Sequence, residues 1–263
     1  MRVWIVSASE SGFPVIAAKA IQEDPEIELV GLIYARNISN NRKKLLGQKL
    51  KKTLKIGILG AINGVRLRKW FAKHKQFLSS TTIMEGYANA NQIPYLEVGH
   101  TARPTSAEIE RIESLNADLG LSLGNSYIAS KLFNLPGHGM LNIHHEILPE
   151  YKGAQSIIWQ LYNGNAVTGY SVHEITKKID DGKIVFRQKI PIKFESSFKD
   201  TVAKNYAFLK EHSAHQLPAI IKEYLHGSSI VTTIDKVYKS YTTPTFKQFL
   251  TMKRNFKKLS RRI

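Results

Sequence analysis

Along most of the chain, short continuous apolar runs alternate with segments of helical period. Residues 1–8 (MRVWIVSA) and 28–35 (ELVGLIYA) are near-continuous apolar runs of strand length. Between them lie Ser-Glu-Ser-Gly and a helical pattern from Pro14 to Gln22. Strand, glycine-bearing turn, helix and strand in that order predict a βαβ unit with strands buried on both faces. Further strands are expected at 93–98, 118–123, 140–145, 168–175 and 183–192, the last two joined by the polar loop KKIDDG. Helices are expected from the capping-box sequence Thr105-Ser-Ala-Glu108 to about Leu115, and over 126–133, 155–162 and 198–226, with a bend at Pro218. This alternation predicts an α/β fold, a doubly wound, mainly parallel Rossmann-like sheet. One core domain is expected over residues 1–195, followed by a helical C-terminal extension, 196–263.

Composition narrows the classes. The 263 residues contain no cysteine, which excludes disulfides, thiolate zinc sites and a cysteine nucleophile and suits a reducing compartment. The first residues read as a strand and turn rather than a signal peptide, and no apolar run approaches the ~20 residues of a membrane span. A soluble, cytoplasmic protein is expected.

Charge changes the picture more. Lys plus Arg number 38 against 21 Asp plus Glu, for a net charge of +17. Residues 42–76 hold 12 of these bases and residues 247–263 hold seven, neither segment containing an acid. The remaining 19 bases face 21 acids, so the rest of the chain is near neutral, at −2. Such segments attract phosphates on nucleic acid, nucleotides or anionic lipid, or they are solvated faces of surface helices. Within the first of them, Ile56 to Val65 is apolar and flanked by Lys51, Lys52, Lys55, Arg66, Arg68 and Lys69. It suits an element touching anionic lipid at the inner membrane face, or an insertion packed on the core with its bases toward a phosphate-bearing acceptor. Gly57, Gly60 and Gly64 give GxxGxxxG, which lacks the Lys-Ser/Thr ending of a phosphate loop.

Ligands of such a sheet sit beyond the carboxyl ends of its strands. There, Met140-Leu-Asn142-Ile-His144-His145 places Asn142 and His144 on one face and His145 on the other. A carboxamide beside an imidazole on an otherwise apolar strand is either a hydrogen-bonded structural pair or a reactive one. His145, His212 and His215 lack further ligands at metal spacing and are read as structural or surface residues.

The stretch from Gly137 to Pro191 resembles the folate-dependent formyltransferases, which act on methionyl-tRNA, glycinamide ribonucleotide or nucleotide-linked amino sugars. The resemblance rests on Gly139-Met-Leu-Asn142-Ile-His144, Leu148-Pro-Glu-Tyr-Lys-Gly153, Asn163-Gly164 with Thr168-Gly169, and Ile179-Asp180-Asp181-Gly182. It implies catalytic roles for Asn142, His144 and Asp180 in moving a formyl group from N10-formyltetrahydrofolate to an amine, with no metal. Asn142 and a protonated His144 would stabilise the developing oxyanion, the imidazole would relay the proton, and Asp180 would orient it. The resemblance also places the pterin near Ser126, Tyr127, Ile128, Ile179 and Asp181; core packing is the other reading of Tyr127 and Ile128. Two positions depart from many members: Glu146, where Ser is common, and Lys183, where an acid is common. Both are expected beside the acceptor or folate mouth.

The methionyl-tRNA enzymes carry a C-terminal barrel of about a hundred residues, whereas about 70 residues follow Pro191 here. The closing KSYTTPTFKQF is similar to the ending of small sugar N-formyltransferases. A nucleotide-linked amino sugar is therefore the expected acceptor. Methionyl-tRNA is the alternative enzymatic reading, and a polyanion- or membrane-binding module without catalysis is the third.

Overall fold

A computed structural model describes residues 1–37, 42–125, 127–153, 155–228, 238 and 240–261. The apolar run at the start forms strand β1 (Arg2–Ser7), and Val3 to Val6 are buried. Gly12, at φ +77°, turns the chain into α1 (Phe13–Gln22), with Pro14 in its first turn, and β2 (Glu28–Ala35) returns parallel to β1. Beyond β2 come helices α2 (Arg42–Ile56) and α3 (Ile58–Ala72), a 3-10 turn and α4 (Met84–Ala90). Strand β3 (Tyr95–Val98), α5 (Ser106–Glu113), β4 (Leu119–Leu123), α6 (Ser130–Phe133) and β5 (Met140–His144) follow. Then come β6 (Lys152–Gly153), α7 (Ile158–Tyr162), the hairpin β7 (Val167–Glu174) and β8 (Ile184–Pro191), α8 (Phe198–Leu225), β9 (Ser240–Tyr241) and α9 (Phe246–Leu259).

Seven strands make one sheet in the order β3-β2-β1-β4-β5-β7-β8. The pairings from β3 to β5 are parallel, and β7 and β8 add antiparallel strands at one edge. The doubly wound, mainly parallel expectation is met. One face carries α1 and α8 around Val3, Ile5, Leu32, Leu121, Val202 and Leu217. The other carries α5 and α6 around Trp4, Val6, Ile33, Ile112 and Leu132. Apolar residues on both sides of β1 and β4 are what this two-sided cover requires. The strands thus run from a buried centre to carboxyl ends on one edge, where β5 presents Asn142 and His144.

Two expected elements differ. The helix read over 126–133 begins only at Ser130: its N-cap Ala129 is extended, the Tyr127 carbonyl accepts from Thr101 Oγ1 at 2.6 Å, and the Ala129 amide donates to the Thr101 carbonyl. The helix read from Gln155 starts at Ile158, since Gln155 and Ile157 both have positive φ. Helix α8 continues through Pro218 to Leu225 as one element. Its start is fixed by Ser197, whose Oγ accepts from the Asp200 amide, and by Lys73 Nζ, 2.7 Å from Asp200 Oδ1.

The glycine pattern at 57–64 is a helix break and a packing face. Gly57, at φ +76°, separates α2 from α3. A Cβ on Gly64 would lie 2.9 Å from Thr243 Cγ2 and one on Gly60 3.5 Å from the Pro244 carbonyl, so these glycines admit the chain just before α9.

Candidate active site

The carboxyl end of β5 meets β7 in a register that sets Asn142 opposite His173 and His144 opposite Ser171. Asn142 Nδ2 donates to His173 Nε2 at 3.1 Å, and His173 Nδ1–H donates to the Glu174 carbonyl at 2.9 Å. These two contacts fix the His173 tautomer: Nδ1 carries the proton and Nε2 accepts. They leave the second Asn142 N–H for another partner.

The loop of the β7–β8 hairpin carries Asp180 back over β5. Its Oδ1 lies 3.8 Å from His144 Nδ1 and 3.8 Å from His173 Nε2. Asp180 holds φ +50°, a left-handed conformation that Asp tolerates better than most residues. Gly182 makes the loop possible, since a Cβ there would lie 1.8 Å from the Glu174 carbonyl oxygen. His144 Nε2 is 3.4 Å from the Tyr151 carbonyl, completing its shell.

Burial pulls both histidines toward their neutral forms, and the Asp180 charge acts in the opposite direction. Burial dominates, so each imidazole stays neutral below the usual histidine range. A resting protonated His144, one of the oxyanion partners considered from the sequence, is therefore disfavoured.

Beside this cluster is an open cleft. Asn142, His173 and Asp180 form its polar end, and Tyr127, Ile128 and Ile179 are among its apolar walls. Asp181, by contrast, is paired with Lys152 Nζ at 3.1 Å and Lys178 Nζ at 3.8 Å and is not among the residues lining the cleft. Ser126 lies outside the described residues.

The comparisons decide the family. The formyl transferase family profile matches residues 66–219, more than half of the chain. This chain is a formyltransferase-family member. The match ends within α8 and takes in β5, β7, β8 and the Asp180 loop. The methionyl-tRNA formyltransferase of Azobacteroides pseudotrichonymphae is 30% identical over 125 residues, covering 48% of this chain and 38% of that protein. That of Listeria innocua is 32% identical over 124 residues, covering 47% and 38%. The chain thus spans under two fifths of the length of these two relatives. Glycinamide ribonucleotide transformylase 1 from Symbiobacterium toebii shares the fold at TM-score 0.58 and 17% identity, over 89% of this chain and 94% of that one. A sugar N-formyltransferase from a Shewanella species does so at TM-score 0.54 and 15% identity, over 97% and 87%. The Helicobacter canadensis N-formyltransferase, solved with folinic acid and dTDP-3-aminofucose, gives TM-score 0.55 and 16% identity over 97% and 80%.

In this family member, His173 is the site residue that strand reading passed over. The available signal was hairpin register: once β7 pairs antiparallel to β5, a histidine just before the Asp180 loop falls opposite Asn142. Glu146 is not at a mouth. It is 3% exposed, and its carboxylate accepts from Gln160 Nε2. Lys183 is exposed at the start of the returning hairpin arm. His145 is half-buried and packed, with Nε2 3.2 Å from Ser213 Oγ and its ring against Phe13 and Tyr206. His212 hydrogen-bonds the Tyr170 hydroxyl at 3.1 Å, and His215 is exposed near Glu211. Among the described residues, no group of three or more His, Asp or Glu side chains is arranged to hold a metal ion.

Proposed function

We propose that this chain transfers a formyl group from N10-formyltetrahydrofolate to the amine of an amino sugar linked to a nucleotide. The observation that carries the reading is the convergence of Asn142 and Asp180 at the polar end of a cleft with apolar walls, with His144 3.8 Å behind Asp180. The cleft suits the donor: Tyr127, Ile128 and Ile179 offer faces for a planar ring, and Asn125 and Ser122 line the same cleft with polar groups. The folate supplies the formyl group and receives a proton on its nitrogen.

The chain's own residues do the rest. With Nε2–H toward the Tyr151 carbonyl, His144 Nδ1 is the nitrogen that accepts a proton from the attacking amine. The cation so formed lies 3.8 Å from Asp180 Oδ1, which stabilises it until the proton is passed to the departing nitrogen. The second Asn142 N–H, aimed by His173, meets the oxygen on which negative charge develops. The net change forms one C–N bond and breaks another, moving one proton from amine to folate.

The amino-sugar acceptor is supported by the basic segments, which suit a diphosphate, and by a C-terminal segment within the 97% of the chain that overlays sugar N-formyltransferases. Methionyl-tRNA is the second reading, favoured by the names of the curated relatives over the matched portion. Release of tetrahydrofolate, measured with a panel of amino-sugar nucleotides and methionyl-tRNA, separates them. His144→Ala is expected to lower turnover about a hundredfold or more while the protein stays folded. Wild-type turnover in that variant would remove His144 from the mechanism, and turnover with tRNA alone would replace the sugar acceptor.

A further inference from the structure

Helices α2 and α3 carry an aliphatic stripe that the fold leaves in solvent. Leu46, Leu50 and Leu54 are 70%, 61% and 77% exposed, and Ile58, Ile62 and Val65 are 75%, 52% and 45% exposed. Leu46, Leu50 and Leu54 recur every four residues on α2, and Ile58, Ile62 and Val65 every four or three on α3. On α3 the opposite side, Gly60, Asn63, Gly64 and Leu67, is the buried one. The orientation is therefore fixed: α3 packs inward through Gly60, Asn63, Gly64 and Leu67 and turns Ile58, Ile62 and Val65 outward.

Basic residues border this stripe. Lys51, Lys52, Lys55, Arg66, Arg68 and Lys69 are exposed. The fold also joins the two basic segments that are far apart in sequence. Helix α3 packs on α9, with the Arg66 guanidinium 5.6 Å above the Phe249 ring. Helix α9 adds exposed Lys247, Lys253, Arg254, Lys257 and Lys258 to the same region, together with half-exposed Leu250.

We infer that the α2–α3 hairpin, flanked by α9, docks on an anionic phospholipid surface. Its aliphatic stripe enters the headgroup boundary and its Lys and Arg residues meet lipid phosphates. Each helix has 15 residues, about 22 Å, and no helix among the described residues is long and apolar enough to cross a bilayer, so the hairpin lies in the interface. Charge selects the occupant. A second copy would bring another acid-free basic segment against this one, whereas an anionic bilayer supplies both an apolar layer and the opposite charge. The inference is independent of the formyl-transfer reading.

The test is co-sedimentation of the full chain with vesicles of equimolar phosphatidylcholine and phosphatidylglycerol, against vesicles of phosphatidylcholine alone. Binding to the anionic vesicles that weakens with added salt is expected. Leu50→Ser with Leu54→Ser, at two positions that are themselves largely solvent-exposed, should lower partitioning about a hundredfold, roughly tenfold per leucine. Arg66→Ala and Lys69→Ala should each cost about fivefold near such a surface. Absence of binding to the anionic vesicles overturns the inference, as does binding that the leucine pair leaves unchanged. Self-association that the leucine pair dissolves, without vesicle binding, would assign the stripe to a second copy instead. A readout of tRNA binding, lost in the Arg66 and Lys69 variants but not in the leucine pair and again without vesicle binding, would assign the basic region to nucleic acid.

Discussion

Glu146 offers a quantitative check on how the loop after β5 is built. Its carboxyl is buried against Gln160, and burial pushes it up to about 8 from 4.5, the hydrogen bond from Gln160 offsetting part of the rise. Gln160 Oε1 has no hydrogen-bond partner among the described residues. A protonated Glu146 can donate a hydrogen bond to such an acceptor; a carboxylate cannot. Between these two pKa values the folded protein keeps a proton that the unfolded chain has released. Folding stability must therefore fall as pH rises through that window, by about 1.4 kcal/mol per unit and several kcal/mol in all. Glu146→Gln keeps the shape and the amide contact but does not titrate. The unfolding free energy of variant and wild type, measured in urea, should nearly coincide at pH 5 and diverge steadily to pH 8, the variant being the more stable. His74, His145 and His173, held neutral by burial, contribute the opposite slope below the usual histidine range, but they are common to both proteins and cancel in the difference. A difference that stays constant from pH 5 to pH 8 would show that Glu146 is already ionised in the fold and refute the reasoning.

Three further outcomes follow from the site. His173→Phe removes the acceptor that aims the Asn142 amide, and kcat should fall about tenfold to a hundredfold with little change in KM for the folate donor; His173→Gln, whose carbonyl can accept the same bond, should recover part of the loss. Gly182→Ala forces a methyl against the Glu174 carbonyl, so the loop must move and take Asp180 with it; activity should drop severely, and thermal unfolding should report a loss of about 1–3 kcal/mol. Because burial keeps His144 neutral, turnover should stay level from pH 8 down to the usual histidine range and fall only below it, as the protonated ring loses its capacity as a base; a midpoint above that range in the kcat profile would contradict the environment described.

Much of this was legible from spacing alone. The βαβ start, the capping box at Thr105 and the period-two placement of Asn142 and His144 are local properties, and local rules describe them well. What escaped depends on contacts between distant segments. The 126–133 stretch has helical composition, yet Thr101 bonds the backbone of Tyr127 and Ala129 ahead of the helix, and no signal within those eight residues reveals it. His173 becomes a site residue only through its register with β5, and Glu146 becomes a buried acid only because α7 brings Gln160 to it. The glycines at 57, 60 and 64 look like a loop motif in sequence because their partner, residues 243–244, lies far along the chain.

The small parallel pairing of β6 with β9 has a consequence for the order in which the site is assembled during synthesis. Lys152 and Gly153 pair with Ser240 and Tyr241, and the Tyr241 ring stacks on Tyr151, whose carbonyl faces His144. Gly153 sits at φ +112°, and a Cβ there would be 2.2 Å from the Tyr241 carbonyl oxygen, so the fit between the two strands is close. On the ribosome, Asn142, His144, His173 and Asp180 all emerge before residue 241 exists. At a translation rate of about 5–20 residues per second, the loop beside His144 waits several seconds for its supporting strand. During that interval the nascent chain holds every reactive group of the site but lacks the wall behind one of them, so the final shape of the site is set only when residues 240–241 arrive.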